Sequence, residues 1–492
     1  MGPLTKEHIL IFGAAGAAAI FLWSFVNWRL SIKVAVIAAL LEGAIRKWGL
    51  PQAQEIVYFL KDIFLAGAYA RFFLFPEPEI RRVKVNGPTL LVTLVGAIVF
   101  LSALNPNIGS IPAAILGLKI YLFYIPMAFM MPFLFKDEKD VVRQLSWFAL
   151  LALPICLLGT LQFFSSRFSL LNVYAHEAGN LENTVYGVQA QNVASFGLAD
   201  HARITGTFSF ISGMVAYLVT VTGITLSILT SPAVRFRVIL LAGVLPLTVA
   251  NSLMSGSRAA VLGQGIVILV MFCASFFIKS SGKSKGSIAV TIALGIALIA
   301  VRFLFQDATA AYQQRTGSAE ANQEMFDRIF QTATALESGF EAGGWTGLGI
   351  GVTHPATYAV RSFFGHSPPH TPPPPMESEP TQILIELGVV GFLAWYALRL
   401  GLIYLTFQNI GRSPSPFFKN LNVFLLTFQI VHLQLQFMLN HTAQFLFWAM
   451  YGITLIPFCT TFAAHRSRRP ADQRSTPAPL PHPQRALPGT SK

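Results

Sequence analysis

The chain has 492 residues, of which 53% are hydrophobic and only 12% charged, with a mean hydropathy of +0.57. That balance excludes an ordinary water-soluble domain and puts the chain in a bilayer. The formal net charge of +13 would suit a nucleic-acid binder, but the basic residues fall mainly in short linkers between apolar runs and in the C-terminal tail. Nucleic acid is therefore set aside as a partner, and the charge is read as a record of membrane topology.

About thirteen stretches are apolar enough to cross a hydrocarbon core of roughly 30 Å as helices. Without period-two alternation a β-barrel is excluded, and helices alone satisfy their own backbone in lipid. The first four spans are expected near 9–25, 30–45, 56–74 and 89–104, the first being a retained helix because it lacks a cationic leader and a cleavage site. Next come 112–134, 142–164, 208–229, 238–253, 259–277 and 288–303, and finally 385–405, 421–439 and 445–462. The expected fold is an all-α polytopic membrane protein of about 12–13 transmembrane helices. Residues 1–464 form the transmembrane domain, with long loops at 165–207 and 302–384. The Pro-rich basic tail 465–492 cannot bury a core and is expected to be disordered.

The basic linkers at Arg81–Lys84, Lys136–Arg143, Arg235–Arg237, Lys279–Lys285 and Arg412–Lys419 all alternate onto the side of the tail, which makes that side cytoplasmic. Both long loops and the turn Ser255–Arg258 then face outward. Cys156, Cys273 and Cys459 each lie inside an apolar run with no pairing or metal-ligand spacing, and read as buried thiols.

Several charges sit where lipid makes them costly. Glu42 and Arg46, spaced i and i+4, are expected to pair on one helix face, and Asp62 to be paired as well. Lys119 has no carboxylate nearby in sequence, so it is expected to snorkel toward the outer interface, or else to await an anion.

Three arginines run against the positive-inside bias: Arg203, Arg258 and Arg328. Guanidiniums fork onto phosphate oxygens, so three on one membrane face point to a diphosphate, against the plainer reading of headgroup anchors. Ser378 followed by Glu379-Pro380 reads as a helix start, which puts Glu377 and Glu379 at the positive end of a helix dipole as ionised carboxylates available as bases at the water–lipid boundary. Glu379, Gln382 and Glu386 would share nearly one face. His366 and His370 are separated by Ser-Pro-Pro, and a polyproline geometry keeps them from sharing a metal, so no metal is expected. Gly347, Gly349 and Gly351 lack the strand and the lysine of a nucleotide loop.

The motifs Arg203-Ile204-Thr205-Gly206-Thr207-Phe208, Ser255-Gly256-Ser257-Arg258-Ala259-Ala260, Arg328 with Gly347-Leu348-Gly349-Ile350-Gly351 downstream, and Ile385-Glu386-Leu387-Gly388-Val389-Val390-Gly391 together resemble the O-antigen ligase and polymerase superfamily. The Glu42–Trp48 segment is similar to one near the start of some members. The resemblance implies a GT-C-like helical architecture and an inverting, metal-independent glycosyl transfer without a cofactor. The donor would be an undecaprenyl-diphosphate-linked glycan, the acceptor a glycan or lipid, and polysaccharide assembly proteins the further partners. It assigns Arg258 and Arg328 to the diphosphate; Arg203 is added from its own position. Family ligases carry a histidine where this chain has Met376 or Glu377, so Glu377 or Glu379 takes the role of base, or His366 or His370 reaches in. Two other classes stay open: a transporter or flippase of lipid-linked sugar, and a non-catalytic component of a polysaccharide export complex.

Overall fold

Helix starts in this chain are written in its capping residues. In the computed structural model, Ser110, Asp137, Ser257, Ser378 and Asn440 each accept a hydrogen bond from the backbone N–H three residues on, satisfying a donor that the first helical turn would leave unpaired. The described residues are 6–50, 57–78, 86–167, 169–173, 194, 196, 201–278, 295, 299, 303, 305–317, 323, 336–366, 369, 371–373, 378–433, 437–438 and 440–456. Arg328, Glu377, His370, Cys459, the stretch 279–294 and the tail from His465 lie outside them.

In chain order the helices are α1 Lys6–Val26, α2 Trp28–Ala44, α3 Leu60–Tyr69 and α4 Asn86–Ala103. There follow α5 Ile111–Leu134, α6 Glu138–Phe164, α7 Ile211–Leu229, α8 Arg237–Met254 and α9 Arg258–Phe277. The last five are α10 Gln306–Thr316, α11 Pro355–Phe363, α12 Glu379–Arg412, α13 Pro416–Val431 and α14 His441–Thr454. The fold is all-α and polytopic, with no strand among the described residues; α5, α6, α7, α8, α9 and α12 are each long and apolar enough to cross a membrane.

α7 is the innermost helix. It packs against α6, α8, α9, α13 and α14, and every residue from Gly213 to Leu229 is buried. Its hydroxyls are accommodated locally, since Thr220 and Ser227 donate to carbonyls one turn back at 2.7 Å, and its small residues let neighbouring helices approach closely. α9, by contrast, presents Leu262, Leu269 and Phe276 outward, as a lipid-facing helix should. α1 and α2 pack on α3, and α4 packs on α12.

α12 departs from a simple span. Gly388 has φ +67° and ψ −174°, a conformation open essentially to glycine alone. A straight helix would hold Glu379 and Arg399 about 30 Å apart, yet Arg399 Nη1 lies 2.9 Å from Glu379 Oε1. The arm 379–387 therefore folds back alongside 389–412 as a short half-helix. The helix start expected at Ser378 is present, at the free end of that arm, where Glu379 is buried in the protein.

Candidate functional site

The glycine motif and the α12 break are two halves of one joint. Gly347, Gly349 and Gly351 have φ +78°, +104° and +77°; a Cβ at Gly347 would meet Glu386 O of α12, one at Gly349 the Ile108 side chain and one at Gly351 the Gly117 backbone of α5, so the segment fits between these elements only as glycine. Leu348 N donates to Ile385 O at 2.7 Å, Gly349 N to Glu386 O at 3.1 Å, and Val389 N to Gly344 O at 3.0 Å. These bonds satisfy backbone groups that the break in α12 frees, a requirement inside lipid. The motif thus holds backbone to backbone.

The joint delivers two side chains into the bundle. Thr353 donates from its N–H (3.1 Å) and its hydroxyl to Glu386, whose other oxygen accepts from Tyr121 at 2.9 Å. Glu386 is fully buried and saturated by these partners. The next residue, His354, stacks on His441 at the start of α14, the ring centroids 5.6 Å apart and the planes 5° from parallel.

Around this pair lies a buried charge network from helices distant in sequence. Glu42 pairs with Lys61 and, at 3.7 Å, with Arg46. Asp62 pairs with Lys119 at 2.7 Å and accepts from Tyr124 at 2.7 Å. Lys119 also donates to His441 Nδ1 at 3.4 Å, and Tyr58 hydrogen-bonds the same imidazole. The pairings expected for Glu42 with Arg46 and for Asp62 are present. Lys119 does not snorkel: its carboxylate comes from α3, a partner no local sequence window contains. A cavity of ≈ 200 Å³ opens against this network, with Glu42, Tyr58, His354 and His441 in its wall.

Arg203 and Arg258, 55 positions apart, come to one turn. Arg203 Nε donates to Ser255 O at 2.9 Å, and two residues on, Ser257 caps α9 at Arg258. From there residues 203–209 run as a strap into the cavity. Gln162 Oε1 accepts from Gly206 N at 2.7 Å, Lys47 donates to Thr205 at 2.6 Å, Ala44 N donates to Thr207 O at 2.8 Å, and Arg46 donates to Ser209 at 2.9 Å. Six residues of extended chain span at most about 20 Å, which bounds the backbone separation of Arg203 from the cavity wall. Tyr312 of α10 lies in the field of Arg258: burial pushes its phenol up, and the charges of Arg258 and Arg315 oppose that shift.

Glu379 is not open to solvent. Its side chain is 5% exposed, and the carboxylate is paired with Arg399 and accepts from Phe437 N at 2.7 Å and Met438 N at 3.1 Å. Those bonds tie Phe437 and Met438, shortly before His441, to α12. His366 is exposed and hydrogen-bonded with Ser110 at 2.8 Å, away from the cavity lining.

Residues 241–396 match the O-Antigen ligase family. The matched segment is 156 of the chain's 492 residues. The matched ligase segment contains the Arg258 turn, the glycine motif, His354 and the α12 joint, whereas Glu42, Lys119, Arg203 and His441 come from outside it. No curated protein matches the chain. His354, His441 and Arg399 were missed in the sequence; the only signal for His354 was its place three residues after Gly351, and for the other two there was none short of the fold.

Proposed function

We propose that this O-antigen ligase-type membrane protein is an inverting, metal-independent glycosyltransferase. It transfers or polymerises glycan from an undecaprenyl-diphosphate-linked donor on the outer face of the bacterial cytoplasmic membrane, its basic tail lying on the cytoplasmic side. The observation that carries the reading is the meeting of Arg203 with the Arg258 turn, on a strap leading to a polar cavity recessed among apolar helices.

In the transfer, the acceptor hydroxyl oxygen bonds to the anomeric carbon of the donor glycan. The bond from that carbon to the phosphate oxygen breaks, and its electron pair leaves on the undecaprenyl diphosphate. The hydroxyl proton passes to a base. Arg203 and Arg258, with Arg328, are assigned to the diphosphate, where guanidiniums stabilise the charge that grows as the bond breaks. Of the two carboxylates Glu377 and Glu379, Glu377 is assigned the proton, because Glu379 is already engaged by Arg399 and two N–H groups and is assigned the role of a brace. His354, in the cavity wall, is the second group placed to take it.

The test is full-length protein in nanodiscs with lipid-diphosphate-linked oligosaccharide, scored for longer or transferred glycan. Arg203→Ala and Arg258→Ala are each expected to lower turnover about 10²–10³-fold. Wild-type turnover in both variants, or none in the wild type, refutes the reading. A flippase for the same lipid-linked sugar is the second reading, favoured by the broken α12, since discontinuous helices line transport sites; it predicts sugar movement across the bilayer with no change in glycan length.

A further inference from the structure

The cavity at the end of the 203–209 strap has a composition of its own. Ser212 and Thr442 bring hydroxyls, Asn440 an amide, His354 an imidazole, and Phe210 a ring. Its one acidic lining residue, Glu42, is already paired with Lys61 and Arg46, so the wall offers hydrogen-bond donors and acceptors and an aromatic surface more than a net charge. Asn440 Nδ2 donates to Ser212 Oγ at 2.8 Å and its Oδ1 accepts from Ala443 N at 2.9 Å, which fixes the amide at the rim.

Volume narrows the occupant. At ≈ 200 Å³ the space is several times the roughly 30 Å³ of a water molecule and below the about 300–1,000 Å³ of pockets for drug-sized ligands. A lipid tail would offer no acceptor to the hydroxyl protons of Ser212 and Thr442, at a cost of about 1–3 kcal/mol each. A diphosphate would meet only one guanidinium here among the described residues, Arg46, which is already shared between Glu42 and Ser209, whereas the Arg203 and Arg258 turn lies at the other end of the strap.

From this we infer that the cavity is a subsite for one uncharged sugar ring, hydroxyls toward Asn440, Thr442 and Ser212 and the apolar ring face toward Phe210. The inference rests on the glycosyltransferase reading, since a sugar is then one strap-length from the donor diphosphate. Two sugars share this chemistry, the first residue of the donor and the terminal residue of the acceptor.

The experiment reads occupancy rather than turnover. Ser212, exposed at the mouth, is replaced in a Cys273→Ser, Cys459→Ser background by Ser212→Cys, a near-isosteric change, and the rate of maleimide labelling is followed in nanodiscs. Three probes are compared: undecaprenyl diphosphate without sugar, the lipid-diphosphate-linked oligosaccharide, and the free oligosaccharide released from it. A sugar-bearing probe at roughly ten times its Kd is expected to slow labelling about tenfold, and sugar-free undecaprenyl diphosphate to leave it unchanged. Protection by the free oligosaccharide assigns the subsite to the acceptor; protection by the lipid-linked form alone assigns it to the donor. Equal protection by the sugar-free lipid, or no protection by any probe in a preparation that turns over, overturns the subsite while leaving the glycosyltransferase reading standing. Absence of turnover together with protection by sugar overturns the glycosyltransferase reading and leaves the subsite.

Discussion

Arg399→Met is the perturbation that best separates a brace from a base at Glu379. In the native chain the Glu379 carboxylate is 5% exposed and Arg399 2% exposed, with 2.9 Å between Nη1 and Oε1. Removing the guanidinium leaves a carboxylate buried with only the N–H groups of Phe437 and Met438 to stabilise it. Breaking a buried pair from one side costs about 3–5 kcal/mol, which on the scaling for domains of roughly 150–250 residues lowers the thermal midpoint by about 6–20 °C, and by less in this larger chain. Glu379→Gln breaks the pair from the other side, leaving Arg399 buried and charged, and should cost a similar amount. The double variant Glu379→Gln/Arg399→Met removes both charges and is expected to recover much of the loss, giving a coupling energy well above 0.5 kcal/mol. The assay is thermal unfolding in detergent followed by tryptophan fluorescence, with turnover measured on the same preparations well below the midpoint. If Arg399→Met leaves the midpoint unchanged while Glu379→Gln alone abolishes turnover in a stable protein, the brace argument is wrong and Glu379 is the base.

Gly388→Ala should destabilise the α12 joint, because the backbone conformation there costs a non-glycine residue about 1–3 kcal/mol and an added Cβ would also meet Thr346 N at 2.5 Å; hydrogen exchange should rise first at Leu348, Gly349 and Val389. Asp62→Asn and Lys119→Met should each cost about 3–5 kcal/mol as single changes and less than their sum when combined, read from the same thermal assay. At the opposite end of the bundle, Arg29 holds the Glu77 carboxyl below its usual range through a hydrogen bond and 2.7 Å contact. The depressed value makes this contribution present at neutral pH and lost as pH falls below about 4.5 through the folded value. Because Arg29 is 44% exposed, solvent screening keeps the effect under about 1 kcal/mol. Glu77→Gln should flatten that part of the acid limb of a stability–pH curve by no more than this.

How much of the site was legible depended on how locally each residue is held. The Glu42–Arg46 pair could be read directly, since i and i+4 share a face of any helix. The cap at Ser378 was equally readable, because an N-cap bond reaches only three residues. Lys119 was not: its partner Asp62 stands 57 positions back, and only the packing of α3 against α5 joins them. The glycines 347, 349 and 351 could be recognised as permissive backbone. Their docking onto 385–389 could not be recognised, because main-chain hydrogen bonds carry no side-chain signature.

Hydropathy and capping residues, both local properties, determined that this is a helical membrane protein and roughly where its helices start. Motif order carried the O-antigen ligase resemblance, which the match over 241–396 bears out. Tertiary structure alone decided that α12 turns back on itself at Gly388, so that Glu379 is buried and braced by Arg399. It alone brought Arg203 to the Arg258 turn and His354 onto His441. The physical reason is that side chains separated by tens or hundreds of residues meet only after apolar faces have packed and the buried backbone has found its partners. A sequence records the first of these requirements plainly and the second hardly at all.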